Sequence, residues 1–205
     1  MPFTKTLLDV ADIKPYLLLS CYIKEGKKKM KISSHKITTM GLLIALSIIL
    51  TRVASLRIAI GGVEGIRIGL GRLPIILGGI IFGPLAGGLI GAFSDLLGYF
   101  INPIGAYMPH FTLTSALTGI IPAALLILMK KNEPNVFNLG IAITVGQVIT
   151  SIILIPYFLN ILFGLPWKVL IPPRIVAEPI QIFIYTYTIN MILKRNILIT
   201  KSYKV

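Results

Sequence analysis

Charge is what this sequence has least of. Asp, Glu, Lys and Arg make up 13% of its 205 residues, against roughly 25% in a soluble domain, while 55% are hydrophobic and the mean hydropathy is +0.87. Water is not the main solvent of such a chain. Cysteine is nearly absent: Cys21 stands alone, so no intrachain disulfide can form and the redox compartment stays open. One cysteine and two histidines are a poor donor set for zinc, and neither H-E-x-x-H nor a paired cysteine cluster occurs, so no metal site is expected. The G-x-x-x-x-G-K-[ST] phosphate loop is missing too, which excludes ATP hydrolysis by that route; Gly69 and Gly71 lie in a segment without a βαβ unit. One carboxylate and one histidine in different apolar stretches, Asp95 and His110, are too little to define a reaction, and the chain is not read as an enzyme.

Long apolar runs are what the sequence does have. A helix needs about 20 residues to cross a hydrocarbon core of roughly 30 Å with every backbone group paired internally. Six candidates run over Ile37 to Val53, Leu73 to Phe82, Gly83 to Ile101, Phe111 to Met129, Leu139 to Phe163 and Ile175 to Leu193. The second is short and is split from the third only by Gly83-Pro84, so it enters at an angle or borrows residues from Ile66 onward. No loop exceeds about 20 residues, too few for a soluble core. The expected fold is an all-α integral membrane protein, a six-transmembrane-helix bundle in one domain.

A net charge of +13 would suit nucleic acid in a soluble protein, but in a membrane protein the location of Lys and Arg matters more. Eight lysines precede the first span, Lys130 and Lys131 follow the fourth, and Lys194, Arg195, Lys201 and Lys204 follow the sixth. With six spans these segments share one side, which the positive-inside rule makes cytoplasmic. Residues 1–36 and 196–205 are thus expected to be basic cytoplasmic tails around a membrane domain of residues 37–195, in the plasma membrane, with no nucleic acid as partner. Met30 and Lys31 directly precede the first span, so residues 1–29 read as an upstream extension or a misassigned start. The other six cations, Arg52, Arg57, Arg67, Arg72, Lys168 and Arg174, fall at the opposite ends of spans or in the first and fifth loops.

The first loop alternates Leu56, Ile58 and Ile60, then Ile66, Ile68 and Leu70, around Gly61-Gly62 and Gly65, which predicts a hairpin-like outer flap with Arg57 and Arg67 opposite the isoleucines. In the third span Gly83, Gly87 and Gly91 recur every fourth residue, a groove for close packing inside the bundle, and the same spacing brings Asp95 and Tyr99 towards the interior. Gly41 and Ala45 in the first span are also four apart, marking either an internal contact or a surface for another subunit.

A carboxylate inside a membrane costs several kcal/mol unless paired or hydrated, so Asp95 is a functional candidate. Arg67, Arg72 or Arg174 are its available cations and Thr112, Thr114, Ser115 or Thr118 its neutral donors, and structural pairing stays open beside ligand contact. Pro172-Pro173 read as the start of the sixth span, with Arg174 and Glu178 one turn apart: either the two neutralise each other, or the Arg174 fork takes a carboxylate from outside with Gln181 adding an amide contact. Tyr107 and Phe111 either stack on a flat heterocycle or form an interfacial belt, and His110 is either a ligand contact or a loop residue.

Taken together, Arg67-Ile68-Gly69-Leu70-Gly71, Leu73-Pro74-Ile75, Phe82-Gly83-Pro84, Gly91-Ala92, Asp95-Leu96-Leu97-Gly98-Tyr99, Phe111-Thr112-Leu113, Ala116-Leu117-Thr118-Gly119, Pro173-Arg174-Ile175 and Pro179-Ile180-Gln181 resemble the substrate-binding S components of energy-coupling factor (ECF) transporters, closest to the folate-type branch. The resemblance covers residues 37–195. It implies a bacterial six-helix protein that captures a vitamin at the outer face, with the first, third and fifth loops over the pocket. It also implies a transmembrane coupling subunit, approached through small first-helix residues that map onto Gly41 and Ala45, and two ATPase subunits that use the ATP; no cofactor is implied for this chain itself. Arg72 and His110 depart from the branch's more usual uncharged residue and glycine. Folate suits the residues independently: its glutamyl carboxylates need cations such as Arg67, Arg72 or Arg174, and its amino-oxo pterin edge can donate two hydrogen bonds to Asp95. The alternatives are an S component for another vitamin or heterocyclic micronutrient, or a self-sufficient proton-coupled transporter using Asp95 or Glu178, although the internal repeats common in such transporters are not evident.

Overall fold

A computed structural model describes residues 34–52, 55–60, 63–101, 107–129 and 135–194, with the side chains from 52 to 68 outside that description. The chain divides into two units, residues 1–37 and 38–205, and of the first only the opening turn of a helix is described. The basic tails expected at the two ends lie otherwise outside the described residues.

Helix α1 runs over Ser34–Arg52, followed by strands β1 (Ser55–Ile60) and β2 (Val63–Gly69), α2 (Arg72–Phe82), α3 (Pro84–Ile101) and α4 (Pro109–Leu128). Helix α5 (Val136–Gln147) passes through a π-helical stretch (Val148–Leu154) straight into α6 (Ile155–Phe163), and α7 (Trp167–Lys194) closes the bundle. Among the described residues, five continuous helical stretches are long and apolar enough to cross a membrane: Ser34–Thr51, Pro84–Ile101, Pro109–Leu128, Val136–Phe163 and Trp167–Lys194. The expected second span is the exception. Its 11 residues in α2 rise only about 16 Å, too short to cross alone. Burial explains how so short an apolar helix is accommodated: every residue from Leu73 to Ile81 is buried, so its neighbours rather than lipid sheathe it.

Gly83 terminates α2 with φ 97°, a conformation that penalises any side chain, and its N–H returns to the Gly79 carbonyl at 2.9 Å. Pro84 then starts α3, where its missing N–H costs nothing. Of the three regularly spaced glycines, Gly87 and Gly91 serve internal packing, whereas a Cβ at Gly83 would meet nothing within 4 Å. A Cβ added at Gly87 would lie 2.5 Å from the Gly79 Cα and 2.7 Å from the Gly119 carbonyl oxygen, so the backbones of α2, α3 and α4 meet there. At Gly91 a Cβ would strike the Ser115 carbonyl, while the Ser115 hydroxyl donates to the Gly91 carbonyl at 3.0 Å. Gly119→Val should therefore force α3 from α4 and lower stability by about 1–3 kcal/mol or prevent folding. Gly41→Ala, with nothing within 4 Å of the added Cβ, should leave thermal unfolding unchanged or slightly raised. Unfolding curves of the two variants in one detergent check the pair.

One expectation is corrected, and one of two open readings loses its support. Pro172 and Pro173 do not open the last helix: α7 begins at Trp167, with the Val169 N–H bonded to the Pro166 carbonyl at 3.0 Å, and carries Pro172, Pro173 and Pro179 inside it. Each proline removes one i to i−4 bond, a loss that packing of α7 against α5 offsets. In α1, Gly41 and Ala45 make no internal small-residue contact, because both are exposed on the same face as Leu42 and Ile49.

The first loop forms the expected hairpin. Strands β1 and β2 pair antiparallel, with Ser55 opposite Gly69, Arg57 opposite Arg67, and a register shift between Ile58 and Ala59. Apart from this pair, the regular structure of the described residues is helical.

Candidate functional site

Short connections make consecutive helices run in alternate directions. The start of α2, the end of α3, the start of α4, the π stretch with α6, and the first half of α7 therefore share one end of the bundle. Nearly all the polar side chains singled out in the sequence lie there, in two clusters.

The deeper cluster centres on Arg72, the first residue of α2. Its Nη1 donates to Gln147 Oε1 at 3.0 Å, Ser151 Oγ at 3.1 Å and Glu178 Oε1 at 3.2 Å, so two hydrogens are shared among three acceptors on two other helices. The Ser151 hydroxyl in turn donates to Glu178 Oε1. Ser151 is 1% exposed, Gln147 1% and Glu178 4%, so this is a network inside the protein rather than a surface ion pair. Glu178 forms an ion pair with Arg72, at 3.2 Å.

Arg174 is also buried, and its Nη1 donates to the Ser151 backbone carbonyl at 2.9 Å. Such a carbonyl is normally consumed inside its own helix. Here the Ile155 N–H bonds to the Thr150 carbonyl, an i to i−5 register, and the next bond of that register would need an N–H from residue 156. Residue 156 is proline, so the Ser151 carbonyl keeps a lone pair for Arg174. One proline and one π turn thus turn a backbone oxygen into part of the site. Gln181 and Tyr185 extend the network along α7: the Tyr185 hydroxyl lies 2.9 Å from Gln181 Oε1 and 2.6 Å from the Gly69 carbonyl, tying α7 to the end of the hairpin. Two guanidinium groups against one carboxylate leave the cluster formally one charge positive.

The second cluster lies at the loop end of α3 and α4. Asp95 finds its partner in Thr112, whose hydroxyl donates to Asp95 Oδ2 at 2.7 Å. That uses the one hydrogen of Thr112, so the Tyr107 hydroxyl, 3.0 Å from Thr112 Oγ1, is the donor of that pair. The other donors weighed for Asp95 are engaged elsewhere: Thr114 bonds the His110 carbonyl, Thr118 the Thr114 carbonyl, and Ser115 the Gly91 carbonyl. The Tyr99 and Tyr107 rings lie 5.2 Å apart and tilted, and His110 faces Phe158 of α6 at 4.9 Å, so aromatic faces line this end; Phe111 is half-buried.

Arg72, Arg174 and Gln181 are thus brought into one cluster, and Asp95, Tyr99, Tyr107 and Thr112 into the other, with His110 against Phe158. The side chain of Arg67 lies outside the described residues. Gln147, Ser151 and Tyr185 escaped the sequence reading, and Glu178 entered it only as a neutralising partner or proton carrier. A signal was available, since Gln147 and Ser151 interrupt one of the two most apolar helical stretches, Val136–Phe163, and polar residues at such depth are costly unless used.

An apolar multi-span bundle with a buried, partly cationic polar network at one end marks a functional site inside a membrane protein. Residues 31–196 match the sequence family of the ECF-type riboflavin transporter S component, and the chain belongs to this family of transporter S components. It is 37% identical over 150 residues to the folate transporter FolT of Clostridium novyi (strain NT), covering 73% of this chain and 83% of that protein. In structure it resembles a crystal structure of FolT bound with folic acid, with TM-score 0.64, 27% identity, and coverage of 77% of this chain and 90% of that one. It also resembles the S component of a bacterial ECF transporter, with TM-score 0.51, 18% identity, and coverage of 78% and 92%, a likeness that bears on fold alone. The S-component resemblance read from the sequence, and the helical membrane fold with it, are borne out.

Proposed function

We propose that this chain captures folate at the outer face of a bacterial plasma membrane and passes it inward together with a transmembrane coupling subunit and two ATPase subunits that hydrolyse ATP. The observation that carries the reading is the 37% identity to a folate transporter, joined to a deep polar cluster whose formal charge is positive. Lys194 at the opposite end of α7, and the lysines at 130 and 131, support placing that polar end outside and both termini in the cytoplasm. Folate brings glutamyl carboxylates, which the excess guanidinium favours, and a flat pterin, which suits the tilted Tyr99 and Tyr107 rings. The exposed Gly41 and Ala45, with Leu42 and Ile49 beside them, offer the coupling subunit a flat apolar face.

Riboflavin is the second reading, favoured by the description of the family. It carries no carboxylate, so the two vitamins differ in what the positive network gives them. Mass spectrometry of the small molecule that copurifies, followed by binding to the protein stripped of it, separates the two. Saturable folate binding with riboflavin at least a hundredfold weaker is expected; no saturable folate binding would sink the reading.

A further inference from the structure

Gly69, Leu70 and Gly71 join the end of β2 to the start of α2, and the carbonyl of each is held by a donor from a different place. The Tyr185 hydroxyl of α7 reaches the Gly69 carbonyl at 2.6 Å, the Leu73 N–H bonds to the Leu70 carbonyl at 3.0 Å, and the Ser47 hydroxyl of α1 donates to the Gly71 carbonyl at 2.8 Å. Both hydroxyl-bearing side chains are buried, so these bonds are not surface ornaments that water could replace freely. Helix α1 also closes on the joint: a Cβ added at Gly71 would strike the Thr51 side chain, so only glycine lets the helix come so near. The root of the hairpin is thus tied to two helices far from it in sequence.

The two ties are unequal. Ser47 gives its one hydrogen to the Gly71 carbonyl, whereas Tyr185 has one hydrogen for two oxygens, the Gly69 carbonyl and Gln181 Oε1 at 2.9 Å. The bond on the Arg72 side is whole, and the bond on the hairpin side is divided. Resting on the folate reading above, we propose that Ser47 and Tyr185 are positioning residues that make Leu70 the hinge of the hairpin. Ser47 keeps Gly71, and Arg72 next to it, fixed in the deep network, while the Tyr185 hydrogen can leave Gly69 for Gln181 and let the hairpin swing. The exchange costs little, because the Tyr185 hydroxyl is satisfied in both states and Gly69 is only partly buried, so water can meet its released carbonyl.

Tyr185→Phe and Ser47→Ala each remove one hydroxyl, and they should act differently. In the full chain in lipid nanodiscs, Tyr185→Phe is expected to speed both folate association and folate release about fivefold, as a loosened gate does, with affinity shifted less than either rate. Ser47→Ala is expected to leave association unchanged and to speed release about tenfold, because Arg72 loses its register while the hairpin keeps its latch. Hydrogen exchange of the ligand-free chain reads the same division: faster in hairpin peptides for Tyr185→Phe, faster in the first turn of α2 for Ser47→Ala, and unchanged in α4 for both. Unchanged association in Tyr185→Phe overturns the hinge, as does one and the same pattern in the two variants. Faster exchange spread through α4 as well would mark a merely structural loss and overturn it too. If the unaltered chain binds no folate, the folate reading fails, and the exchange pattern alone decides the hinge.

Discussion

Glu178→Ala should be among the most damaging single substitutions in the bundle, lowering stability by about 3 kcal/mol, the low end of the range for breaking a buried ion pair. The low end applies because the Arg72 side chain keeps 23% of its surface exposed and can hydrate partly, whereas Glu178 keeps 5%. Loss of the carboxylate removes the acceptor shared by Arg72 and Ser151 and leaves the cationic network without its only anion. Much of the loss is the cost of the unpaired cation rather than the worth of the pair, so Arg72→Met in the Glu178→Ala background should recover a large part of it. Thermal unfolding of the four proteins of this cycle in one lipid mixture measures the coupling. A double variant no more stable than Glu178→Ala would contradict the account.

The helices were legible because a membrane imposes a simple rule: apolar residues in runs of sufficient length, with cations sorted to one side. The ends of α1, α3, α4 and α6 fall within a few residues of the expected positions, and the hairpin followed from alternation around glycines. What failed was local punctuation overruled by packing. Pro172-Pro173 carry a start signal, yet α7 extends five residues before them, with Leu170 of that flank buried. The site was half legible for a related reason. Asp95, Arg72 and Arg174 announce themselves as charges in an apolar chain, and Thr112 was among the donors weighed for Asp95. Which acid pairs with which arginine depends on helix rotation, and Arg174 meets the Ser151 carbonyl only because a π turn and Pro156 release it. No periodicity of side chains reports a free backbone oxygen.

Arg174→Ala, the second large effect, separates two roles that one side chain combines here. If Arg174 meets a ligand carboxylate, its loss should weaken folate several-fold to a hundredfold, about 1–3 kcal/mol for a charge-assisted pair. The same substitution strands the buried Ser151 carbonyl, a stability cost of about 1–3 kcal/mol independent of any ligand. Pro156→Ala provides the missing N–H at the place the π register calls for it, so in the Arg174→Ala background it should restore stability by satisfying the Ser151 carbonyl. Pro156 is fully buried, so its truncation alone costs some packing, and the single Pro156→Ala variant supplies that reference for the cycle. Affinity should not return with stability, because an alanine N–H restores the helix without restoring a positive charge. Recovery of folate affinity in the double variant would reduce Arg174 to a support of the helix, and unchanged affinity in Arg174→Ala would remove it from the site.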